Sequence, residues 1–151
     1  MTQTTVHAVA KALHEASRLL KRRFEDRARD SNLTLPQWRA IHQLAQTDGI
    51  SQVALAGLIE VTPMTLSGIL DRLEARGLVE RIADPGDSRA KLVRSTPQSR
   101  ALADTGRSIR DQILEEALTG MSEAERSQLA GLLEKITGNL TAHEAASKES
   151  A

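Results

Sequence analysis

Arg89 stands just after the turn sequence Asp84-Pro85-Gly86-Asp87-Ser88, so its guanidinium is carried on a projecting tip. A guanidinium placed that way can enter a narrow minor groove, where negative potential is focused; the alternative is a solvated ion pair within the turn. Upstream, Thr62-Pro63 reads as a helix start, a threonine cap with proline at the first helical position. That helix turns Leu66, Ile69, Leu70 and Leu73 to one face and Thr65, Ser67, Gly68, Asp71 and Arg72 to the other, with Pro63 and Met64 in its first turn. Short hydroxyls and a glycine near a helix N-terminus allow close entry into a major groove, and the N-terminus itself favours phosphate. Gly68 costs about 1 kcal/mol of helix propensity relative to Ala, which either close approach to DNA or tight packing on a neighbouring helix would offset. Arg72 either reaches DNA or pairs locally with Asp71 or Glu74. Lys91, Arg81, Arg76 and Arg94 are further phosphate candidates.

A second constellation is Trp38 with His42, four apart and hence on one helix face. Set against the basic first helix (Arg18, Lys21, Arg22), the pair could form an apolar slot with cationic ends, suited to small aromatic carboxylates. The plainer reading makes Trp38 the anchor of an aromatic-poor core and His42 a partly exposed neighbour. His7 and His14 are seven apart, too far for two ligands within one helical turn, so no metal site is expected.

These residues must be positioned by a chain of 151 residues, 40% hydrophobic and 26% charged, the composition of a globular domain. With one Phe, one Trp and no Tyr, its core must be aliphatic. The absence of cysteine excludes disulfides and thiolate metal sites. The longest apolar run, Val53 to Ile59, is far shorter than a membrane span, and no signal peptide is visible, so a cytoplasmic protein is expected. Net charge is zero but segregated: residues 1–30 hold seven basic and four acidic groups, residues 101–151 five basic and nine acidic. Such segregation can orient a neutral protein on a polyanion. No glycine-rich phosphate loop, nucleophile elbow or metalloprotease motif is present, which speaks against an enzyme.

Helical spacing of Val6, Val9, Leu13, Ala16, Leu20 and Phe24 predicts one long helix over residues 5–30. Thr34 with Gln37 forms a capping box for a second helix, which carries Trp38, Ile41, Leu44 and Ala45 inward and stops near residues 48–49. Ser51 caps a short third helix, Thr62 the fourth, and Gly77 ends it. The period then changes: Leu78–Ile82 and Lys91–Thr96 read as the strands of a β-hairpin. Thr96-Pro97 opens a long helix, and Ser122 with Glu125 caps a last one bearing Leu129, Leu132, Leu133, Ile136 and Leu140. The terminal helices carry more apolar surface than the middle unit can cover, and a second copy is the expected cover, with an intramolecular three-helix bundle as the alternative.

A short helix, a tight turn, a capped second helix and a hairpin make a winged helix-turn-helix. Leu33-Thr34 with Trp38, Ser51-Gln52-Val53-Ala54-Leu55-Ala56, Val61-Thr62-Pro63-Met64-Thr65-Leu66, Leu70-Asp71-Arg72-Leu73-Glu74-Ala75-Arg76-Gly77-Leu78-Val79-Glu80-Arg81 and the wing through Lys91 together resemble the MarR family of bacterial regulators. The sequence departs from the family pattern at Ser88 (often arginine), Ser95 (usually apolar) and Ser99 (usually glycine). The resemblance implies a mainly α fold with a small β-hairpin wing: a dimerisation helix over 1–33, a winged helix-turn-helix domain over 34–97, dimerisation helices over 98–143 and a flexible tail over 144–151. It implies a homodimeric repressor of palindromic double-stranded DNA, with contacts from Ser51, Gln52, Thr62, Pro63, Met64, Thr65, Ser67, Gly68, Arg72, Arg76, Arg89 and Lys91, and with Asp87 holding Arg89. The Trp38–His42 pairing is similar to that of the SlyA subgroup, which implies a small aromatic or anionic effector near Arg18, Lys21, Trp38 and His42. No cofactor, metal or membrane partner is expected. A winged-helix protein turned to protein–protein interaction is the alternative, against which Arg89 and the polar recognition face argue.

Overall fold

The computed structural model describes residues 3–47, 49–87 and 90–149. The chain divides into two compact units, Met1–Ile113 and Leu114–Ala151. Its elements in order are α1 (Gln3–Arg27), a 3₁₀ turn (Arg29–Ser31), α2 (Leu35–Gln46), β1 (Ile50–Ser51), α3 (Gln52–Leu58), α4 (Pro63–Ala75), β2 (Val79–Ala83), β3 (Lys91–Ser95), α5 (Pro97–Ala117) and α6 (Glu123–Glu149). The fold is mainly helical with a small antiparallel sheet, as the sequence predicts.

Local chemistry fixes where the helices start. Thr34 Oγ1 accepts from the Gln37 N–H while Gln37 Oε1 accepts from the Thr34 N–H at 2.8 Å, a complete capping box. Ser51, Thr62 and Thr96 accept from the N–H groups of Ala54, Thr65 and Ser99, and each such cap contributes about 1 kcal/mol. Behind α4 the chain reverses through Gly77 at φ +68°, where the Leu78 N–H reaches the Leu73 carbonyl and the Gly77 N–H the Glu74 carbonyl. That Schellman closure needs a left-handed residue, which glycine supplies without strain.

The core of the first unit is aliphatic. Leu55, Leu66, Leu70, Leu73, Leu78 and Val93 are fully buried and pack with Ile41, Leu44 and Ala103. The leucines recur at helical spacing on α4, so one face of that helix is sealed and the other is left to solvent. β3 is the centre of the sheet, with β2 on one side (Val79 opposite Ser95, Ala83 opposite Lys91) and β1 on the other (Ile50 opposite Val93).

Three features differ from the sequence expectation. β1 was not predicted: it is two residues long, and Ser51 doubles as a helix cap, so no alternation pattern marks it. The first helix ends at Arg27 rather than near residue 30, the chain turning through the 3₁₀ segment and a left-handed Asn32 at φ 53°. At the other end, helical backbone in α6 continues to Glu149, past residue 143.

In the second unit α6 begins at a capping box, Ser122 Oγ accepting from the Glu125 N–H and Glu125 Oε2 accepting from the Ser122 N–H at 2.8 Å. These bonds hold the Glu125 carboxyl below its ordinary pKa, the Ser122 backbone N–H first and its hydroxyl second. Arg126 ties the turn by donating to the Leu118 and Met121 carbonyls and to Glu115.

Candidate nucleic-acid interface and effector slot

The exposed face of α4 carries Thr62, Pro63, Met64, Thr65, Gly68, Asp71 and Arg72, and Met64 is 87% exposed. Ser67 is half-buried and its carbonyl accepts from Arg81. The Thr62 hydroxyl donates to Thr65 Oγ1 at 2.9 Å, which leaves the Thr65 O–H free to donate outward. At Gly68 an added Cβ would meet nothing within 4 Å. Packing against a neighbouring helix therefore does not account for this glycine, and the reading that assigned it to such packing is set aside.

The basic candidates separate into two groups. Arg81, only 13% exposed in its side chain, bridges Asp71 (2.7 Å) and Glu74 and so fastens β2 to α4. Burial opposes its charge, but the two carboxylates outweigh that and raise its pKa. With both acids taken by Arg81, Arg72 has no ion-pair partner among the described residues, and the local-pair alternative for it is removed. Arg76 donates to the carbonyls of Asn32 (3.0 Å) and Ser31 (2.9 Å), closing the corner between α1 and α2. Its guanidinium is thus a structural clasp where a phosphate contact was expected; the carbonyls at the end of the 3₁₀ turn need donors, and sequence spacing of 44 residues gives no hint of it.

Ser51 and Gln52 stand at the start of α3, both half-buried, with the Ser51 hydroxyl used as a cap. The wing is β2, β3 and their connection. Asp84 Oδ1 accepts from the Gly86 N–H at 2.8 Å and Ala90 donates to the Asp87 carbonyl at 2.9 Å, so side chain and backbone close the loop. Asp87 and Lys91 are exposed. Arg89 and its neighbour Ser88 lie outside the described residues. Two departures from the family pattern find different solutions: buried Ser95 receives a hydrogen bond from Arg100 at 3.1 Å, whereas the buried Ser99 hydroxyl has no partner among the described residues.

A cavity of about 200 Å³ opens beside Trp38, floored by Phe24, Leu35, Ala103 and Gly106 and rimmed by Arg39, His42, Arg107 and Arg110. Phe24 meets Trp38 edge to face at 5.5 Å. Burial and then the positive charges of Arg110 and Arg107 hold His42 below its ordinary pKa, so the imidazole is neutral at pH 7. Trp38 and His42 thus share a slot as expected, but its cations are not the expected ones. Arg18 is paired with Glu15 at 2.6 Å, and it lies with Lys21 and Arg22 along a separate basic depression on α1. Arg107 and Arg110 were missed because nothing in the local sequence says that α5 packs its Ala103–Gly106 face on α2. Among the described residues no three His, Cys, Asp or Glu side chains cluster as metal ligands, and no single helix is long and apolar enough to cross a membrane.

A capped helix with a polar, unobstructed face, set in a helix-turn-helix and followed by a charged hairpin, defines a winged-helix DNA-binding protein. Residues 33–91 match the MarR family. The transcriptional regulator HosA of Escherichia coli O111:H- is 33% identical over 129 residues, covering 83% of this chain and 94% of that protein. The transcriptional repressor NicR of Pseudomonas putida is 31% identical over 136 residues, covering 90% of this chain and 84% of NicR. The solved structure of BpsR from Bordetella bronchiseptica, whose DNA binding is regulated by 6-hydroxynicotinic acid, is 30% identical with a TM-score of 0.73, covering 85% of this chain and 92% of BpsR. The chain belongs to the MarR family and is a DNA-binding transcriptional regulator, not an enzyme.

Proposed function

We propose that this regulator is a cytoplasmic homodimeric repressor that places α4 in the major groove of each half of a palindromic operator and Arg89 of each wing in the adjoining minor groove. The observation that carries the reading is the open face of α4: Thr65, Gly68 and Arg72 side by side, with no ion-pair partner for Arg72 among the described residues and none of their atoms within 4 Å of a Cβ at Gly68. Met64 offers an apolar contact for a thymine methyl and Thr65 a hydroxyl donor, while Ser51, Gln52, Thr62, Pro63, Ser67 and Lys91 bound the footprint. Asp87 braces the wing tip. Exposed apolar residues along α1 (Val6, Val9, Leu13) and, separately, along α6 (Leu129, Leu132, Leu133, Leu140) are the surfaces a second copy would cover. Titrating a palindromic duplex at increasing salt tests the reading: affinity should fall steeply, as counterion release requires. A salt-independent interaction, or none with any selected duplex, would favour a protein-interaction module instead.

The slot at Trp38 is proposed to take a small aromatic acid that releases DNA. Its floor is apolar, its rim carries three arginines beside a neutral His42, and among the described residues the buried Trp38 N–H has no acceptor. One ring with a carboxylate and a second polar group meets those demands, and the relative BpsR responds to a molecule of that kind. Such a ligand can act only through its different affinities for DNA-competent and incompetent states.

A further inference from the structure

Gly106 sits in the interior of α5, where a glycine costs about 1 kcal/mol relative to alanine. The space at this position is already filled. A Cβ added there would lie 2.7 Å from Cζ3 and 3.0 Å from Cε3 of Trp38. Ordinary contact begins near 3.4 Å, so either the indole or the α5 backbone would have to give way. The six-membered ring of Trp38 therefore rests on bare helix backbone. Phe24 meets the indole edge to face, and the slot opens beside it.

We infer that Gly106 is the specificity-determining residue of the effector slot: by letting Trp38 recline on α5 it sets the width available to the ligand's ring. The inference rests on the effector reading of the slot but names a residue that does not supply charge or hydrogen bonds to the ligand. Its effect is steric and acts through the indole. A β-carbon at position 106 drives the ring into the cavity and narrows it for planar acids, whatever groups they carry. The arginines and His42 would remain to attract the anion, so the loss is of fit rather than of charge.

The test uses the full-length protein with salicylate and 6-hydroxynicotinate as probes, by calorimetry. Gly106→Ala should weaken binding of whichever acids the wild type takes by at least about tenfold, the scale of a one-methyl overpacking. Without ligand, emission of Trp38, the sole tryptophan, should shift and become more accessible to acrylamide. Because crowding also costs stability, Gly106→Ala/Trp38→Phe supplies the second arm: the smaller ring should restore both the thermal midpoint and binding, to within about threefold of wild type. Wild-type affinity in Gly106→Ala with an unmoved indole would overturn the inference while leaving the effector site in place. Absence of acid binding by the wild type would remove the effector reading and this inference with it, even if the indole signal of Gly106→Ala had moved.

Discussion

In the winged lobe, leucines at helical spacing are sealed: Leu66, Leu70 and Leu73 of α4 have no exposed surface. Along α6 the same kind of spacing leaves Leu132 54% and Leu140 63% exposed, and along α1 Val6 is half exposed. The sequence pattern is alike and the outcome opposite. A 3.6-residue stripe specifies that a face must be covered, not what covers it. Within the lobe, α2, α3 and the sheet provide the cover, while Val6, Val9 and Leu13 of α1 and, separately, Leu132 and Leu140 of α6 keep their surface. On the proposed reading, assembly and recognition fall to different parts: the open apolar faces to another protein surface, the open polar face of α4 to DNA.

The largest effect should come from breaking the uncovered stripe. Changing both Leu133 and Ile136 to Glu would put unpaired charge into the proposed subunit seam, and a fold that depends on its partner should then aggregate or unfold. Light scattering and circular dichroism after purification check this. A soluble, folded monomer would show that the stripe is not an obligate interface and that the two regions differ less than proposed.

The wing should be sensitive in binding but not in folding. Arg89→Ala is expected to weaken operator binding by about 1–3 kcal/mol per half-site with the thermal midpoint unchanged. Unchanged affinity at physiological salt would move minor-groove contact away from this residue. Lys91→Ala, as a phosphate contact, should instead lower affinity evenly across operator variants and reduce the salt slope by about 1.

Gly68→Ala separates folding from recognition within a single helix. Nothing lies within 4 Å of the new methyl, so α4 should gain up to about 1 kcal/mol of stability from improved helix propensity. DNA affinity should fall at the same time, because the methyl holds the helix off the groove floor. A denaturant melt and a duplex titration on one sample read both. If affinity holds while stability rises, this glycine has no role at the interface.

The sequence made the lobe legible because its signals are local. Thr34 with Gln37, Ser51, Thr62 and Thr96 each decide a helix start from residues no more than three apart, and Gly77 decides an end. The contacts that sequence reading missed span long separations or depend on backbone: Arg76 reaching back to Asn32, Arg81 to Asp71, Arg107 and Arg110 beside His42. Glu60 belongs with them, a non-glycine residue at φ 58° in the turn between α3 and α4 that no residue-type rule would place there. The polar face of α4 is legible from residue types alone; Trp38 and His42 do line one cavity, but the cations beside them are Arg39, Arg107 and Arg110 and not those of α1.

The smallest expected effect is a pH dependence centred on His42, and it sharpens the contrast between the buried slot and the exposed recognition face. Burial and the charges of Arg110 and Arg107 depress the pKa of this imidazole in the folded protein below its ordinary 6.5. The other ionic groups near it are Arg39 in the same slot, Glu60, which lines a second depression with His42 and Arg39, and the carboxylates Asp104 and Asp111, engaged by Arg107 and Arg110. The unfolded chain therefore takes up a proton at this position before the folded one does. The stability that this difference supplies is fully present above about pH 6.5 and is lost as pH falls through the folded pKa. His42→Gln should flatten the fall of the melting midpoint between pH 7 and 5 relative to wild type; an identical fall in both would mean that the imidazole is not desolvated. An anion in the slot favours the protonated ring, so wild-type affinity for salicylate should rise as pH drops over that range. His42→Gln should bind with little pH dependence while salicylate itself remains ionised. Operator binding by the free protein should show no His42-linked change, because the imidazole belongs to the slot and not to the α4 face.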